Sequence, residues 1–149
     1  MTAAASEIVT CPRCGRRNRV PAAANGVPRC GNCHQPLPWI TSADDDSFAE
    51  VVDAARLPVL VDLWAVWCGP CQVVSPALEQ VARDLAGSVK LAKVDVDASP
   101  KTSARFAVQA IPTLLVMQRG EVRARRAGAA SASVIRQWVA DTIKAAPGS

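Results

Sequence analysis

Residues 58–71 have the sequence Pro-Val-Leu-Val-Asp-Leu-Trp-Ala-Val-Trp-Cys-Gly-Pro-Cys, in which an apolar run leads into two cysteines. The run over 58–66 is rich in Val and Leu, which predicts a strand buried on both faces of a parallel or mixed sheet. Residues 72–86 then carry apolar side chains at the spacing of one helix face. The pair Cys68 and Cys71 therefore lies where a buried strand gives way to a helix.

This position predicts different properties for the two sulfurs. Cys68 lies at the N-terminus of the predicted helix, where free N–H groups and the helix dipole favour a thiolate. Cys71 follows one turn later and faces the same side of the helix. The pattern predicts a dithiol site in which Cys68 is the activated, exposed sulfur and Cys71 is the sheltered, resolving sulfur.

The composition and the cysteine pattern narrow the class of protein. Half of the 149 residues are hydrophobic, so the chain can bury a sizeable core. Its N-terminus lacks the basic and apolar regions of a signal peptide, and no apolar run approaches the roughly 18 residues of a membrane span. The six cysteines form three Cys-x-x-Cys pairs, which is not the pattern of a secreted disulfide framework. We therefore expect a cytoplasmic protein without membrane association.

The first two cysteine pairs have the spacing of a structural zinc site. Fifteen residues separate them, and between them we expect a short strand at 16–20 and a loop at 21–28. So short a segment lacks a core of its own, so metal binding would have to supply its folding energy. Disulfides among these cysteines are the alternative, which a reducing compartment disfavours. The predicted ligands of one structural Zn²⁺ are Cys11, Cys14, Cys30 and Cys33.

The net charge of +4 is carried by residues 1–38, which hold five arginines and one glutamate. A basic module can indicate nucleic-acid binding. A zinc ion with four thiolates carries a charge of about −2, however, and the arginines would offset it, so nucleic acid is not expected. Residues 30–34 also fit the Cys-x-x-Cys-His pattern of c-type haem attachment. Haem attachment there would, however, give Cys11 and Cys14 no role. We expect neither haem nor a bound nucleotide.

The rest of the chain alternates strand and helix patterns. A stiff connector over 34–41 leads into a first strand, and the acidic run at 44–46 offers N-cap candidates for a helix. Ser99-Pro100 is a similar helix start. The termini, including 147–149, are expected to fray. The predicted order is β-α-β-α-β-α-β-β-α, with helices at 48–56, 72–86, 100–106 and from 131, and strands at 58–66, 89–96, 113–117 and 122–126.

Residues 63–71, together with Ile111-Pro112-Thr113, are similar to the motifs of the thioredoxin family. With the four-cysteine segment before them, the whole chain resembles the second, zinc-binding type of bacterial thioredoxin. The resemblance implies an α/β thioredoxin fold, in which helices flank a central mixed sheet, with a small N-terminal zinc-ribbon module. The implied boundaries are 1–36 for the module, with its core at 7–36, and 37–146 for the thioredoxin domain.

The resemblance also implies roles at the dithiol. Cys68 attacks a substrate disulfide and Cys71 resolves the mixed disulfide. Asp62 interrupts the apolar run, where a carboxylate is costly to bury. It matches the buried acid that exchanges a proton with the resolving cysteine, and Lys93 matches the lysine that pairs with this acid. The residues implied in substrate binding are Trp67, Gly69, Pro70, Ile111, Pro112 and Gly128, with a cis bond before Pro112.

The implied function is the reduction of disulfides in protein substrates by a monomer. The resemblance implies that an NADPH-dependent thioredoxin reductase supplies the electrons. It also implies the direction of the reaction, because Gly69-Pro70 is the dipeptide found in the reducing members of the family. Two alternatives are an oxidase or isomerase of the same fold, and a redox sensor whose zinc module responds to oxidation. A nucleic-acid-binding zinc ribbon with a vestigial redox domain is a third, against which the set Cys68, Cys71, Asp62 and Pro112 argues.

Overall fold

The computed structural model describes residues 6–24 and 26–145, so the termini expected to fray lie outside the described residues. In chain order the elements are β1 (Ser6–Thr10), β2 (Arg17–Pro21), β3 (Trp39–Ser42), a π-helical turn (Ala49–Asp53), β4 (Val59–Trp64), α1 (Gly69–Asp84), β5 (Lys90–Asp95), α2 (Pro100–Arg105), β6 (Thr113–Gln118), β7 (Glu121–Ala127) and α3 (Ala132–Lys144). None of the helices in the described ranges has the length and apolar character needed to cross a membrane.

The larger sheet has five strands in the order β3-β5-β4-β6-β7. Strand β4 pairs in parallel with β5 and antiparallel with β6, and β7 returns antiparallel at the edge. Five of the six residues of β4 are buried, as a central strand requires. The α/β fold with a mixed central sheet, implied by the resemblance, is confirmed.

Alternation along β4 assigns its side chains to two cores. Leu60 packs with α1 and α3 on one face of the sheet. Val61 and Leu63 pack on the opposite face, with residues of the π-helical turn and Phe106 at the end of α2. Since successive side chains of a strand point to opposite faces, Asp62 shares the α1 face with Leu60. The strand pattern thus places a carboxyl group beneath the helix that carries Cys71.

Two elements differ from the sequence prediction. The helix expected over 48–56 is a π-helical turn limited to Ala49–Asp53. Pro58 disfavours a helical conformation at Leu57, and the chain must extend there to enter β4. Strand β1 was not predicted, yet it pairs antiparallel with β2 from Ser6↔Pro21 to Thr10↔Arg17. Strand β1 is too short and too exposed to show an alternation of apolar and polar side chains, and it forms through its pairing with β2.

The cap of α2 also differs from expectation. Ser99 occupies the N-cap position, but its side chain makes no capping hydrogen bond. Asp45 caps the helix instead, because its carboxylate accepts hydrogen bonds from the N–H of Lys101 at 3.0 Å and of Thr102 at 2.8 Å. The Thr102 hydroxyl donates to the same carboxylate at 2.8 Å. The acidic run therefore ties the start of α2 to the segment before the π-helical turn.

We predict that Asp45→Ala lowers the melting temperature by several degrees, because the substitution leaves two N–H groups at the start of α2 without their acceptor. Thermal unfolding followed by circular dichroism measures the change. The matched control is Asp46→Ala, which removes a neighbouring exposed carboxylate that accepts no hydrogen bond from α2. Equal effects of the two substitutions would show that Asp45 does not cap α2.

Candidate active site

The two cysteines of the dithiol lie at the junction of β4 and α1, as predicted. Cys68 is the N-cap residue of α1, and a disulfide joins it to Cys71, with 5.3 Å between the two Cα atoms. The N–H of Cys71 donates to the Cys68 sulfur at 3.2 Å. When the disulfide is reduced, this contact and the helix dipole both favour a thiolate at Cys68.

The expectation of an exposed Cys68 is not met. Both cysteines are buried, Cys68 with 4% and Cys71 with 3% of its surface exposed. In the disulfide the Cys68 sulfur is bonded to Cys71, and it lies 3.8 Å from the carbonyl oxygen of Ile111. The exposure of Cys68 therefore does not distinguish it from Cys71 in the oxidised form, whereas its position at the helix N-terminus does.

A loop beside the Cys68 sulfur contains the cis proline that the resemblance implied. The Ile111–Pro112 peptide bond is cis, and the Pro112 carbonyl accepts a hydrogen bond from the N–H of Gly128 at 2.9 Å. Gly128 has a φ of +91°, a backbone conformation that residues other than glycine rarely adopt. The segments of Ile111 and Gly128, which are far apart in the chain, are thus neighbours next to the disulfide.

Exposed apolar side chains surround this site. Trp67 is 72% exposed, and Val66 and Val73 are exposed to a similar degree. The indole N–H of Trp67 donates to the Asp97 carboxylate at 2.7 Å, which fixes one edge of the ring. Asp97 lies thirty residues from Trp67, and no local pattern links the two. Such a patch is typical of a surface that binds other proteins.

Asp62 is buried beneath this surface, with 1% of its surface exposed. Its Oδ1 atom has no hydrogen-bond partner among the described residues. Burial raises the pKa of Asp62 to about 6, although the positive charge of Lys93 acts in the opposite direction. A cavity of about 130 Å³ lies between this carboxyl group and Cys71, and it is lined by Asp62, Trp64, Cys71, Gln72, Ser75 and Lys93.

Lys93 makes a different ion pair from the one expected. Its ammonium donates to the Ser75 hydroxyl at 2.7 Å and to the Glu79 carboxylate at 3.0 Å. Lys93 is the register partner of Asp62 in the adjacent strand, but its long side chain reaches α1, where it remains partly hydrated. Ser75 and Glu79 were missed by the sequence analysis, although Ser75 lies four residues after Cys71 and Glu79 four residues after Ser75, which places all three on one helix face.

The four N-terminal cysteines form a second cluster. Their sulfur atoms all lie within 4.8 Å of one another, although β2 and the loop that follows it separate the two pairs in the chain. Each pair forms a tight turn, closed by hydrogen bonds from Gly15 N–H to the Cys11 carbonyl and from His34 N–H to the Cys30 carbonyl. His34 itself is exposed and does not belong to the sulfur cluster.

The donor set of this cluster suits a soft metal ion. Hydrogen bonds from the backbone N–H groups of Cys33 and Asn32 outweigh burial and lower the pKa of Cys30 to about 6. At Cys33 a hydrogen bond from the N–H of Gln35 is outweighed by burial and by the neighbouring cysteines, which raise its pKa to about 11 when no metal is bound. The side-chain amide nitrogen of Asn18 also donates to the Cys30 sulfur, at 3.6 Å. Thiolate ligands stabilised by N–H donors are those that zinc and related metals prefer. The four cysteines could therefore hold a metal ion.

Trp39 joins the cluster to the larger sheet. It is buried together with Cys11, Cys30 and Leu37, and its indole N–H donates to the Pro21 carbonyl at 2.9 Å. The Lys90 ammonium lies 4.1 Å from the centre of the Trp39 ring and donates to the Val51 carbonyl at 2.6 Å. Burial lowers the pKa of Lys90 to about 8. These contacts couple the cysteine segment to the core.

Comparison with known proteins identifies the family of this fold and site. The family model described as Thioredoxin matches residues 39–141. The chain belongs to the thioredoxin family. It is 41% identical to Thioredoxin C-3 of Corynebacterium nephridii over 135 residues, which are 89% of this chain and 92% of that protein. It is 46% identical to a thioredoxin of Allochromatium vinosum over 100 residues, which cover 67% of this chain and 94% of that protein.

A thioredoxin of Pseudomonas aeruginosa is 44% identical over 100 residues, which are 67% of this chain and 93% of that protein. The alignment with Thioredoxin C-3 is longer than the segment from residue 39 to the C-terminus, so it includes part of the four-cysteine region. With a Cys68–Cys71 disulfide at its active site, this thioredoxin-family protein is a thiol-disulfide oxidoreductase that reduces protein disulfides.

We predict that Asp62→Asn stabilises the oxidised protein at about pH 8 by about 2–3 kcal/mol and has little effect at about pH 4. The folded-state pKa of about 6 exceeds the ordinary value of 3.8. The contribution of protonated Asp62 to stability is therefore complete below about pH 3.8 and is lost as the pH rises through about 6. Urea unfolding at both pH values measures the difference. Asp46→Asn, at an exposed site, is the control, and an equal effect of Asp62→Asn at both pH values would contradict the raised pKa.

Proposed function

We propose that Cys68 is the attacking sulfur and Cys71 the resolving sulfur in the reduction of protein disulfides. The observation that carries this assignment is the N-cap position of Cys68, where the Cys71 N–H donates to its sulfur. The Cys68 thiolate bonds to one substrate sulfur, and the other leaves as a thiolate. Cys71 then attacks the Cys68 sulfur, closes the disulfide, and releases the second substrate thiolate.

Asp62 is proposed as the base that accepts the proton of Cys71 during this second step. The two side chains line one cavity, which supports proton transfer between them within that cavity. A pKa of about 6 leaves Asp62 ionised near neutral pH, yet more basic than an ordinary aspartate. Lys93 acts on the same group through its charge.

Substrates are proposed to bind across the surface around the disulfide. An extended substrate segment would pair with the backbone of Ile111, next to the Cys68 sulfur, in the manner of an added strand. Pro112 and Gly128 form the adjoining wall, where the Gly128 N–H donates to the Pro112 carbonyl. The exposed ring of Trp67 and the Gly69-Pro70 turn complete the contact area.

We propose that the chain consists of a zinc-binding module at residues 1–36, with its core at 7–36, and a thioredoxin domain at 37–146. Cys11, Cys14, Cys30 and Cys33 would hold one zinc ion, and the sulfur cluster supports this ligand set. Zinc would supply folding energy to a segment whose apolar cluster contains few residues besides the cysteines. With four protein ligands, the site leaves no position open for catalysis.

The proposed partners are disulfide-containing proteins and an NADPH-dependent thioredoxin reductase that returns the Cys68–Cys71 disulfide to the dithiol. A reducing compartment, the cytoplasm, is proposed because it keeps both the dithiol and the four free cysteines in their thiol form. We propose that the protein acts as a monomer.

We predict that Cys68→Ser abolishes the reduction of insulin by NADPH and a thioredoxin reductase, since it removes the attacking sulfur. Cys71→Ser should accumulate covalent adducts with substrate, because nothing then resolves the mixed disulfide. Mass spectrometry without reducing agent detects these adducts. Adducts on Cys68→Ser, and none on Cys71→Ser, would reverse the two roles.

We predict about one zinc ion per chain in the purified protein, as expected for a single four-thiolate site. Cys11→Ser should lose the metal and lower the melting temperature, because Trp39 couples the cluster to the larger sheet. Elemental analysis and thermal unfolding measure these two effects. His34→Asn is the matched control, since His34 has φ of +64°, which asparagine tolerates. Loss of metal in His34→Asn, or full metal content in Cys11→Ser, would contradict the ligand set.

A further inference from the structure

Three residues of α1 form a row that leads from the resolving cysteine to the protein surface. Cys71, Ser75 and Glu79 are four residues apart, so their side chains lie on the same face of the helix. Cys71 is buried, whereas Ser75 and Glu79 are partly exposed. The row faces β5, from which Lys93 extends.

The ammonium group of Lys93 is held by this row. It donates to the Ser75 hydroxyl at 2.7 Å and to the Glu79 carboxylate at 3.0 Å, and the Ser75 hydroxyl donates to the same carboxylate oxygen at 3.3 Å. Each of the three polar groups thus contacts the other two. This closed arrangement restrains a side chain that would otherwise be mobile.

Asp62 lies on the other side of the same cavity. It is the register partner of Lys93 in the adjacent parallel strand, and both side chains line the cavity. The titratable groups that face Asp62 are Lys93 from β5 and Cys71 from α1, while β6 places the uncharged Leu114 opposite it. Lys93 is therefore the cation nearest to Asp62 in this cavity, yet it pairs with Glu79.

We propose that Glu79 and Ser75 are positioning residues that hold Lys93 away from Asp62 and so keep the Asp62 carboxylate free to accept the Cys71 proton. The inference rests on the proposed role of Asp62 as that base. In the step concerned, the Cys71 thiol proton passes to Asp62 and the Cys71 sulfur bonds to the Cys68 sulfur. The bond from Cys68 to the substrate sulfur breaks, and its electron pair leaves on the substrate thiolate.

Removal of the Glu79 charge changes the position of Lys93. In Glu79→Gln the ammonium loses its ionised partner, and the carboxylate that lines the same cavity as Lys93 is Asp62. An ion pair there would stabilise ionised Asp62 and make it a weaker base. The expected consequence is slower resolution by Cys71, with unchanged attack by Cys68.

The test is a stopped-flow reaction of the reduced full-length protein with dithiobis(nitrobenzoate), an aromatic disulfide. Release of the first nitrothiobenzoate reports attack by Cys68, and release of the second reports resolution by Cys71. In Glu79→Gln we expect the pH midpoint of the second phase to fall by about one unit, the lower end of the effect of a nearby opposite charge. The plateau rate should fall as well, and the first phase should not change.

Three further variants separate positioning from other effects. Asp84→Asn removes a carboxylate and its ion pair with Arg136 from the same helix, away from the cavity, and should leave both phases unchanged. Ser75→Ala should shift the midpoint in the same direction as Glu79→Gln, but less. In a Lys93→Met background, Glu79→Gln should produce no further shift, because the residue that it positions is gone.

An unchanged midpoint in Glu79→Gln, or an equal shift with and without Lys93, would overturn the inference. Asp62→Asn distinguishes this failure from failure of the proposed base. If Asp62→Asn removes the pH dependence of the second phase and Glu79→Gln does not move it, only the positioning role fails. If the pH dependence persists in Asp62→Asn, the role of Asp62 as the base fails and the inference fails with it.

Discussion

The alternation of side chains along β4 is the constraint on which the site depends. It sends Leu60 and Asp62 to the face covered by α1, and the loop after β4 places Cys68 at the first turn of that helix. The buried Asp62 carboxyl group and Cys71 therefore share one cavity. The same burial that makes Asp62 costly to ionise makes it basic enough to accept a proton near neutral pH. In the proposed mechanism, Asp62 thus affects both the stability of the protein and the reactivity of Cys71.

The contacts of Lys93 determine how strongly its positive charge acts on Asp62. A lysine directly paired with Asp62 would lower the pKa of Asp62 and make it a weaker base. A neutral residue in place of Lys93 would leave that pKa raised further. Glu79 and Ser75 hold the ammonium at an intermediate position, still close enough to act on Asp62 through its charge. At the opposite end of the sheet, Trp39 and Lys90 join the four-cysteine segment to the same core. The segment is consequently part of the folded unit and not a freely attached arm.

Much of the fold and the reactive atoms could be predicted because their signals are local. The apolar run of β4, the helix period of α1 and the spacing of the cysteine pairs each lie within a few residues. The predicted strands and helices of the larger domain match the observed ones to within a few residues, apart from the shortened turn at Ala49–Asp53. The cis bond before Pro112 followed from the family resemblance, not from the local pattern.

The sequence by itself determined most elements of the larger sheet and its helices, the dithiol and the four-cysteine cluster, because these depend on spacing along the chain. Only the tertiary structure decided which side chains meet: Asp45 caps α2, Asp97 binds the Trp67 indole, and Glu79 takes Lys93 from Asp62. Each of these contacts joins elements that are distant in the chain, and the sequence offers other acidic residues near the acceptors, such as Asp44 and Asp95. The choice among them depends on distance and burial in the folded protein, which spacing along the chain does not contain.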